Sequence, residues 1–341
     1  MLARSATTRD RYAMYNANKL KIGLFGSNCS SGRAVTKVPE RWSGSWPDNL
    51  RLARMADEAG IDFLLPIGRW KGYGGETDYQ GATLETITWA AGLLASTRRI
   101  TVFGTVHAPL FNPVIAAKEM VTADHIGEGR FGLNIVVGWN EGEFDMFGVE
   151  QREHEDRYDY AQEWIDVIKL IWSDQEDFDF QHKYFSMKGI RGKPKPFGGT
   201  RPLIMNAGSS PTGQAFAIRN CDAFFLQASR DSLAETTQRV AAVQSAPGKA
   251  AARSAAIRSG SSPAGRPARK RRTITITASS STPIGRRSTA SWRSRTSARR
   301  RCRWRSLCAS AANTRRGWVA CRSWAILISW RNSSPISARP A

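Results

Sequence analysis

Short apolar runs alternate with amphipathic stretches over the first 245 positions of the chain, and that alternation sets the fold class. Lys19–Phe25 predicts a strand, and Pro47–Ala59 a helix with Leu50, Leu52, Ala53 and Ala56 on its inner side. Ile61–Pro66 with Leu84–Thr97 repeats the strand–helix unit. So do Ile100–Thr105 with Pro113–Ile126, and Phe131–Val136 with Arg157–Trp172. Leu203–Asn206 and Ala223–Leu226 predict later strands, with helices over Pro211–Arg219 and Leu233–Gln244. Repetition of this kind predicts parallel strands joined by right-handed crossovers. The stretches after strands one, two and four are long, and barrels keep their chemistry in such loops. The expected architecture is therefore an α/β chain forming a (β/α)8 TIM barrel over 19–245, after an N-terminal extension at 1–18. Gly127 and Gly129 punctuate the end of the third helix as left-handed caps.

The patterning stops after Gln244. Ser, Arg, Ala, Gly, Pro and Thr dominate 246–341, and no Asp or Glu follows Glu235. The 341 residues hold 50 Lys and Arg against 29 Asp and Glu, a net charge of +21. Of the basic residues, 22 lie from Pro247 onward, so the remainder, 28 basic against 29 acidic, is close to neutral. Two readings compete: a disordered basic arm, or a stretch translated in the wrong frame. The genetic code tests the second. When the last base of each codon is joined to the first two of the next, with free synonymous choice, Trp318–Ala341 can read MGGLPIVGDPDLVAELVADLGPAG. Ser259–Ala298 regains acids and strand-like runs in the same way. The middle bases of the restored codons are fixed by the present residues, so their apolar or polar character is not chosen. The expectation is a one-base loss between about Gln244 and Ala251, an incomplete barrel that has lost its last strands, a disordered tail and impaired folding. A nucleic-acid-binding arm is the competing function. The tail's tryptophans (Trp292, Trp304, Trp318, Trp324, Trp330) belong to no recognisable RNA or DNA module.

No run of 18 apolar residues exists, which argues against a membrane span. Residues 1–18 lack the apolar region of a secretory signal, so a cytoplasmic protein is expected. Cys29, Cys221, Cys302, Cys308 and Cys321 show no metal-ligand spacing, and four scattered histidines form no metal constellation. No G-x-G-x-x-G follows the first strand, which argues against a Rossmann-type dinucleotide site.

Candidate chemistry concentrates in Phe131–Tyr158. Asn134 lies near the end of a strand, where a side chain with both a donor and an acceptor can meet a ligand or simply terminate the strand. Glu143 is either a ligand contact or a helix cap, and Trp139 a stacking platform or core. Ser209 and Ser210 precede a helix beginning near Pro211, where hydroxyls and helix N–H groups suit a phosphate; Arg157 and Tyr158 can add donors. Gly72, Gly74 and Gly75 permit close approach to a flat ring or form a tight turn. His107 follows the third strand, as a proton donor to the pocket or a loop histidine bonded to backbone. His125 is read as structural. His154 and Asp156 either position Arg157 or begin a helix with favourable charge.

Together GRWKGYGG at Gly68–Gly75, DHIGEGRFGLNIVVGW at Asp124–Trp139, EGEFDMFG at Glu141–Gly148, HEDRY at His154–Tyr158, KPKP at Lys193–Pro196 and NAGSS at Asn206–Ser210 resemble the bacterial luciferase-like flavin-dependent monooxygenases. The resemblance runs from about Leu20 to Gln244 and is nearest the pyrimidine, dimethyl-sulfone and alkanesulfonate oxygenases. It implies reduced FMN in the barrel mouth, O2 as co-substrate and a separate NAD(P)H-dependent flavin reductase. A small organic substrate and, as often in that family, a homo-oligomer are also implied. Family positions that contact flavin match Gly68, Arg69, Asn134, Glu143, Arg157, Tyr158 and Ser210, with Gly208 and Ser209 adjoining. Arg69 beside the ring would favour anionic reduced flavin. It is, with His107, a catalytic candidate; the alternative is a surface arginine on a loop. A deazaflavin-dependent oxidoreductase of the same superfamily is the second enzyme reading.

Overall fold

The computed structural model describes residues 13–16 and 20–227, the backbone of two further strands, and isolated positions between 234 and 241. In chain order the strands are β1 (Leu20–Phe25), β2 (Phe63–Leu65), β3 (Thr101–His107), β4 (Phe131–Val136), β5 (Phe178–Gln181), β6 (Ser186–Ile190), β7 (Leu203–Asn206) and β8 (Ala223–Gln227). All but β5 and β6 run parallel as neighbours, β1 to β4 and then β7 and β8, forming the wall of a barrel. The β5–β6 pair is a separate antiparallel hairpin that the sequence patterning did not predict. The helices are α1 (Trp46–Glu58), α2 (Thr86–Ala95), α3 (Pro113–Ile126), α4 (Glu141–Phe147), α5 (His154–Trp172) and α6 (Pro211–Asn220). The helix expected over Leu233–Gln244 lies mostly outside the described residues, as do residues 1–12.

Helix starts follow their caps. Ser45 accepts from Asp48 N ahead of Pro47 in α1, and Asn112 accepts from Val114 N and Ile115 N ahead of Pro113 in α3. α2 begins at Thr86 rather than Leu84, because the Glu85 carboxylate accepts from Ile87 N and Thr88 N. α5 begins at His154, three residues earlier than expected. Glu155 and Asp156 fall in its first turn, where the dipole favours acids. On α1 the buried positions are Asn49, Ala53, Ala56 and Asp57, with Leu50 and Leu52 only half-buried. The two polar residues are tolerated because they are fully used. Asn49 accepts from Trp89 Nε1, and Asp57 accepts from the backbone N–H of Arg98, Arg99 and Ile100. The left-handed turn after α3 falls on Glu128 (φ +49°) and Gly129 (φ +85°); Gly127 has an ordinary φ of −85°, contrary to expectation.

Two apolar layers hold the wall. Phe63, Leu65, Phe103, Leu203, Met205 and Ala223 fill the barrel interior, with Phe25 and Phe225 packed against them. Met14 is buried in the same cluster, on a short turn whose neighbour Asn16 bonds Lys21 of β1 and Asp62 ahead of β2. That turn therefore covers the N-terminal end of the barrel and leaves the opposite end for a site. Outside the wall, residues such as Leu93, Met120, Trp164 and Phe216 form a larger cluster under the helices.

Closure differs from expectation. The loss of the last strands predicts unpaired edges on β1 and β8. Instead β9 (Ala255–Ser261) pairs parallel with β8, and β10 (Ala325–Ser329) bridges β9 and β1. β10 runs antiparallel to both, which no strand of a regular (β/α)8 barrel does. Open N–H and C=O rows on an edge recruit an available extended segment, and Ala-Ile-Leu-Ile-Ser has the composition for it. The rest of the tail lies outside the described residues. Among the described residues no helix is long and apolar enough to cross a membrane, and no group of three His, Cys, Asp or Glu is arranged to hold a metal.

Candidate active site

The carboxyl ends of β2, β3, β4 and β7 converge on one mouth, and the register between β3 and β4 builds its centre. Thr105 pairs with Asn134 across the two strands. The Thr105 hydroxyl donates to Pro66 O at 2.7 Å and accepts from Asn134 Nδ2 at 3.1 Å. This orients the amide and leaves Asn134 Oδ1 buried without a partner. A buried acceptor in that state is destabilising by about 1–3 kcal/mol until a donor arrives.

Glu143, on α4, is the hub of the mouth. Its Oε1 accepts from Trp70 N at 2.8 Å, Lys71 N at 3.2 Å and Arg69 Nη1 at 3.2 Å, so one carboxylate fixes the loop after β2. Arg69 also donates to Gln80 Oε1 and the Tyr73 hydroxyl, and its guanidinium lies 5.1 Å from the Tyr73 ring and 5.2 Å from the Trp139 ring. Its side chain is buried, not a free surface arginine. Trp139 is 63% exposed, which makes it a wall of the mouth rather than core. Gly74 and Gly75, both left-handed, have open space around them, and Gly72 packs on Gly81. These glycines shape the loop.

His107 Nε2 faces Glu143 Oε2 at 3.8 Å. A Cβ on Gly68 would lie 2.8 Å from its Cε1, so only glycine there leaves room for the imidazole. Nδ1 is buried and unpartnered, which is not the backbone-bonded loop histidine of the alternative. Burial lowers its pKa to about 4, against the opposing pull of Glu143 and with some help from Arg69. The ring is neutral at physiological pH.

On the β7 side, Asn206 donates to Ile135 O and accepts from Gly208 N, tying β7 to β4. A Cβ on Gly208 or Gly213 would collide with the Tyr158 hydroxyl, which bonds Ser210. Ser210 also caps α6 through Gly213 N, and Ser209 is exposed. Arg157 donates to Gly138 O at 2.9 Å and keeps a buried Nε without a partner. Asp156 pairs with Lys183, Tyr184 and Arg152, so it does not position Arg157. His154 lies edge-on to Tyr158, and His125 meets Lys195 O in a structural role. Thr105, Asn206, Gly138 and Gln80 were missed from sequence. Only the β3–β4 register could have singled out Thr105.

Next to His125, Asp124 is buried, takes Phe197 N on Oδ2 and has no partner on Oδ1. Burial raises its pKa to about 7. A raised carboxyl pKa makes the native state bind more protons, so Asp124 withdraws stability as pH rises from about 4 to 7. The lowered His107 pKa acts oppositely, adding stability as pH rises from about 4 to 6.5. Urea midpoints across pH 4–8 are expected to slope upward in Asp124→Asn relative to the parent, and downward in His107→Gln. Identical slopes in all three proteins would remove both assignments.

Residues 20–315 match the profile of the luciferase-like monooxygenase family. The chain belongs to that family. Pyrimidine monooxygenase RutA of Acinetobacter baylyi is 31% identical over 209 residues, 61% of this chain and 56% of the relative. An FMNH2-dependent dimethylsulfone monooxygenase of Pseudomonas fluorescens is 33% identical over 207 residues, 60% and 55% of the two chains. The match thus spans about half the length of these relatives. A riboflavin lyase, RcaE, solved with modified FMN and riboflavin, superposes with a TM-score of 0.59 at 26% identity, covering 67% of this chain and 58% of that one. Asn134 Oδ1 and Arg157 Nε are buried atoms of the mouth without a protein partner, and the glycine at 208 lets the Tyr158 hydroxyl pack against the turn after β7.

Proposed function

We propose that the chain is an FMNH2-dependent monooxygenase that inserts one atom of O2 into a small organic substrate of the sulfone, sulfonate or pyrimidine type. A separate NAD(P)H-dependent reductase supplies the reduced flavin. The observation that carries this reading is the buried, unpartnered Asn134 Oδ1 beside neutral His107 in a mouth whose loops Glu143 organises. An isoalloxazine edge offers both N–H donors and carbonyl acceptors, which is the pattern these atoms lack.

Oxygen activation is what the reduced cofactor supplies when bound; the chain binds, orients and shields. Asn134 would hold the ring edge, and Gly68 and Arg69 would line its approach, with the Arg69 charge favouring an anionic ring. Arg157, Tyr158, Gly208, Ser209 and Ser210 would hold the phosphate, with the α6 N-terminus adding N–H groups. Trp139 and Tyr73 would exclude water. His107 Nδ1 is placed to hold a proton or accept one at the ring's side.

Anaerobic titration tests the reading. Photoreduced FMN is expected to bind at least tenfold tighter than oxidised FMN, and reduced deazaflavin no tighter than oxidised FMN. Oxygen uptake with added reductase should then depend on substrate. Equal binding of both FMN redox states, or preference for the deazaflavin, would defeat the proposal.

A further inference from the structure

The mouth holds a second cationic group that the flavin reading does not use. After β1 the chain turns at Gly26 (φ +76°) and folds back through the Gly32 N to Cys29 O and Ala34 N to Ser31 O hydrogen bonds. This returns Arg33 over the end of β1. Its Cδ passes 3.6 Å from where a Gly26 Cβ would stand, beside Ile67. Its guanidinium sits 5.3 Å above the Phe25 ring, which in turn meets Phe225 at 5.4 Å. These two rings top the barrel interior, so Arg33 lies over the floor of the mouth.

Arg33 Nε is buried and has no partner. Among the described residues no carboxylate lies within ion-pair distance of Arg33, whereas Arg69 is matched by Glu143. Both arginines pull the Cys29 thiol downward, against the burial that lifts it to about 12. Ser31, in the same turn, carries a second buried group without a partner, its hydroxyl. Buried donors that the protein leaves open take their acceptor from a water, an ion or a ligand. In the ring order of the eight strands, β1 and β7 are diametrically opposite. Arg33 is therefore across the mouth from Gly208–Ser210 and Tyr158, too far round the ring to share their anion.

We propose that Arg33 anchors the anionic end of the substrate, an organic sulfonate or carboxylate whose apolar skeleton lies on the Phe25–Phe225 floor. A planar guanidinium matches such oxyanions with paired N–H bonds, and the aromatic floor takes the alkyl or flat remainder. The term substrate rests on the flavin reading; the anion site does not. The assignment selects anions over neutral sulfones and uracil.

The test follows intrinsic tryptophan fluorescence of the full chain, and of a frame-restored counterpart, during titration with 1-octanesulfonate, octanoate, dibutyl sulfone and uracil. Each titration is run with and without reduced FMN under anaerobic conditions. At least one of the two anions is expected to bind tenfold or more tighter than either neutral compound, and the sulfonate–octanoate ratio names the oxyanion. Arg33→Gln should weaken that anion at least tenfold and leave reduced FMN within twofold. Arg33→Lys, which keeps the charge and the stem, should restore part of the affinity and guards against mistaking misfolding for lost binding. Unchanged anion affinity in Arg33→Gln, equal binding of the neutral compounds, or a loss of FMN affinity of tenfold would each overturn the proposal. Anion binding that needs Arg33 in a protein that ignores reduced FMN would uphold the site and sink the flavin reading instead.

Discussion

Glu143→Ala is expected to lower the stability of the barrel by about 3–5 kcal/mol and to abolish tight binding of reduced FMN. The carboxylate is almost fully buried and its Oε1 takes three donors: Arg69 Nη1, Trp70 N and Lys71 N. Removing it strands a buried guanidinium and two backbone N–H groups, and breaking a buried ion pair from one side typically costs about 3–5 kcal/mol. Against a usual net stability of about 5–15 kcal/mol that is a large fraction. The loop from Gly68 to Lys71 would lose its only carboxylate anchor among the described residues, and Arg69 its fixed place between Tyr73 and Trp139. Glu143→Gln keeps an acceptor for the backbone N–H groups and is expected to lose about 1–3 kcal/mol, the penalty of an imperfectly paired buried group. Urea unfolding and anaerobic FMN titration of the two variants check this. A Glu143→Ala protein with the parental midpoint would show that the hub is not what holds the loop.

The second large effect concerns the end of the chain. If the ending is out of frame, as we propose from its codons, a chain recoded by one base near Gln244–Ala251 is expected to melt at least about 10 °C higher and to bind less of a hydrophobic dye. The slots beside β1 and β8 are filled by β9 and β10, and β10 runs against its neighbours. An antiparallel strand in that position cannot deliver the crossover helix that covers a barrel wall. If closing units that bury about 1,000 Å2 of apolar surface are missing, the deficit is on the order of 25 kcal/mol at roughly 25 cal/mol per Å2. For a domain of this size each kcal/mol moves the melting temperature by about 2–4 °C. Indistinguishable melting curves and dye binding for the two chains would mean that the Arg-rich ending stabilises the barrel as it stands.

The sequence singled out candidate residues where polar and glycine positions interrupt the apolar patterning. In the structure Asn134 stands inside β4, Glu143 and Arg157 near the starts of α4 and α5, and Gly208 in the turn after β7, all around one mouth. Their partners were not legible. Thr105 lies mid-run in an apolar strand, and its value comes from standing opposite Asn134. Asp156 is one residue from Arg157 yet faces the β5–β6 hairpin, because one step along a helix turns a side chain by about 100°. Arg33 is hidden in a loop with no regular pattern, and its place over Phe25 depends on the turn at Gly26.

The sequence by itself determined the alternation of strand and helix, the capped starts of α1 and α3, the neutral body and basic ending, and the family's motifs. Those are properties of neighbouring residues: hydrophobic periodicity, caps and charge are written locally. Only the tertiary structure decided that His107 is neutral and packed against Gly68, that Glu143 fastens a loop more than 70 positions away, and that β10 closes the wall against the direction of its neighbours. Burial, pairing and strand order join residues distant in the chain, and desolvation and hydrogen-bond satisfaction act on that assembled neighbourhood.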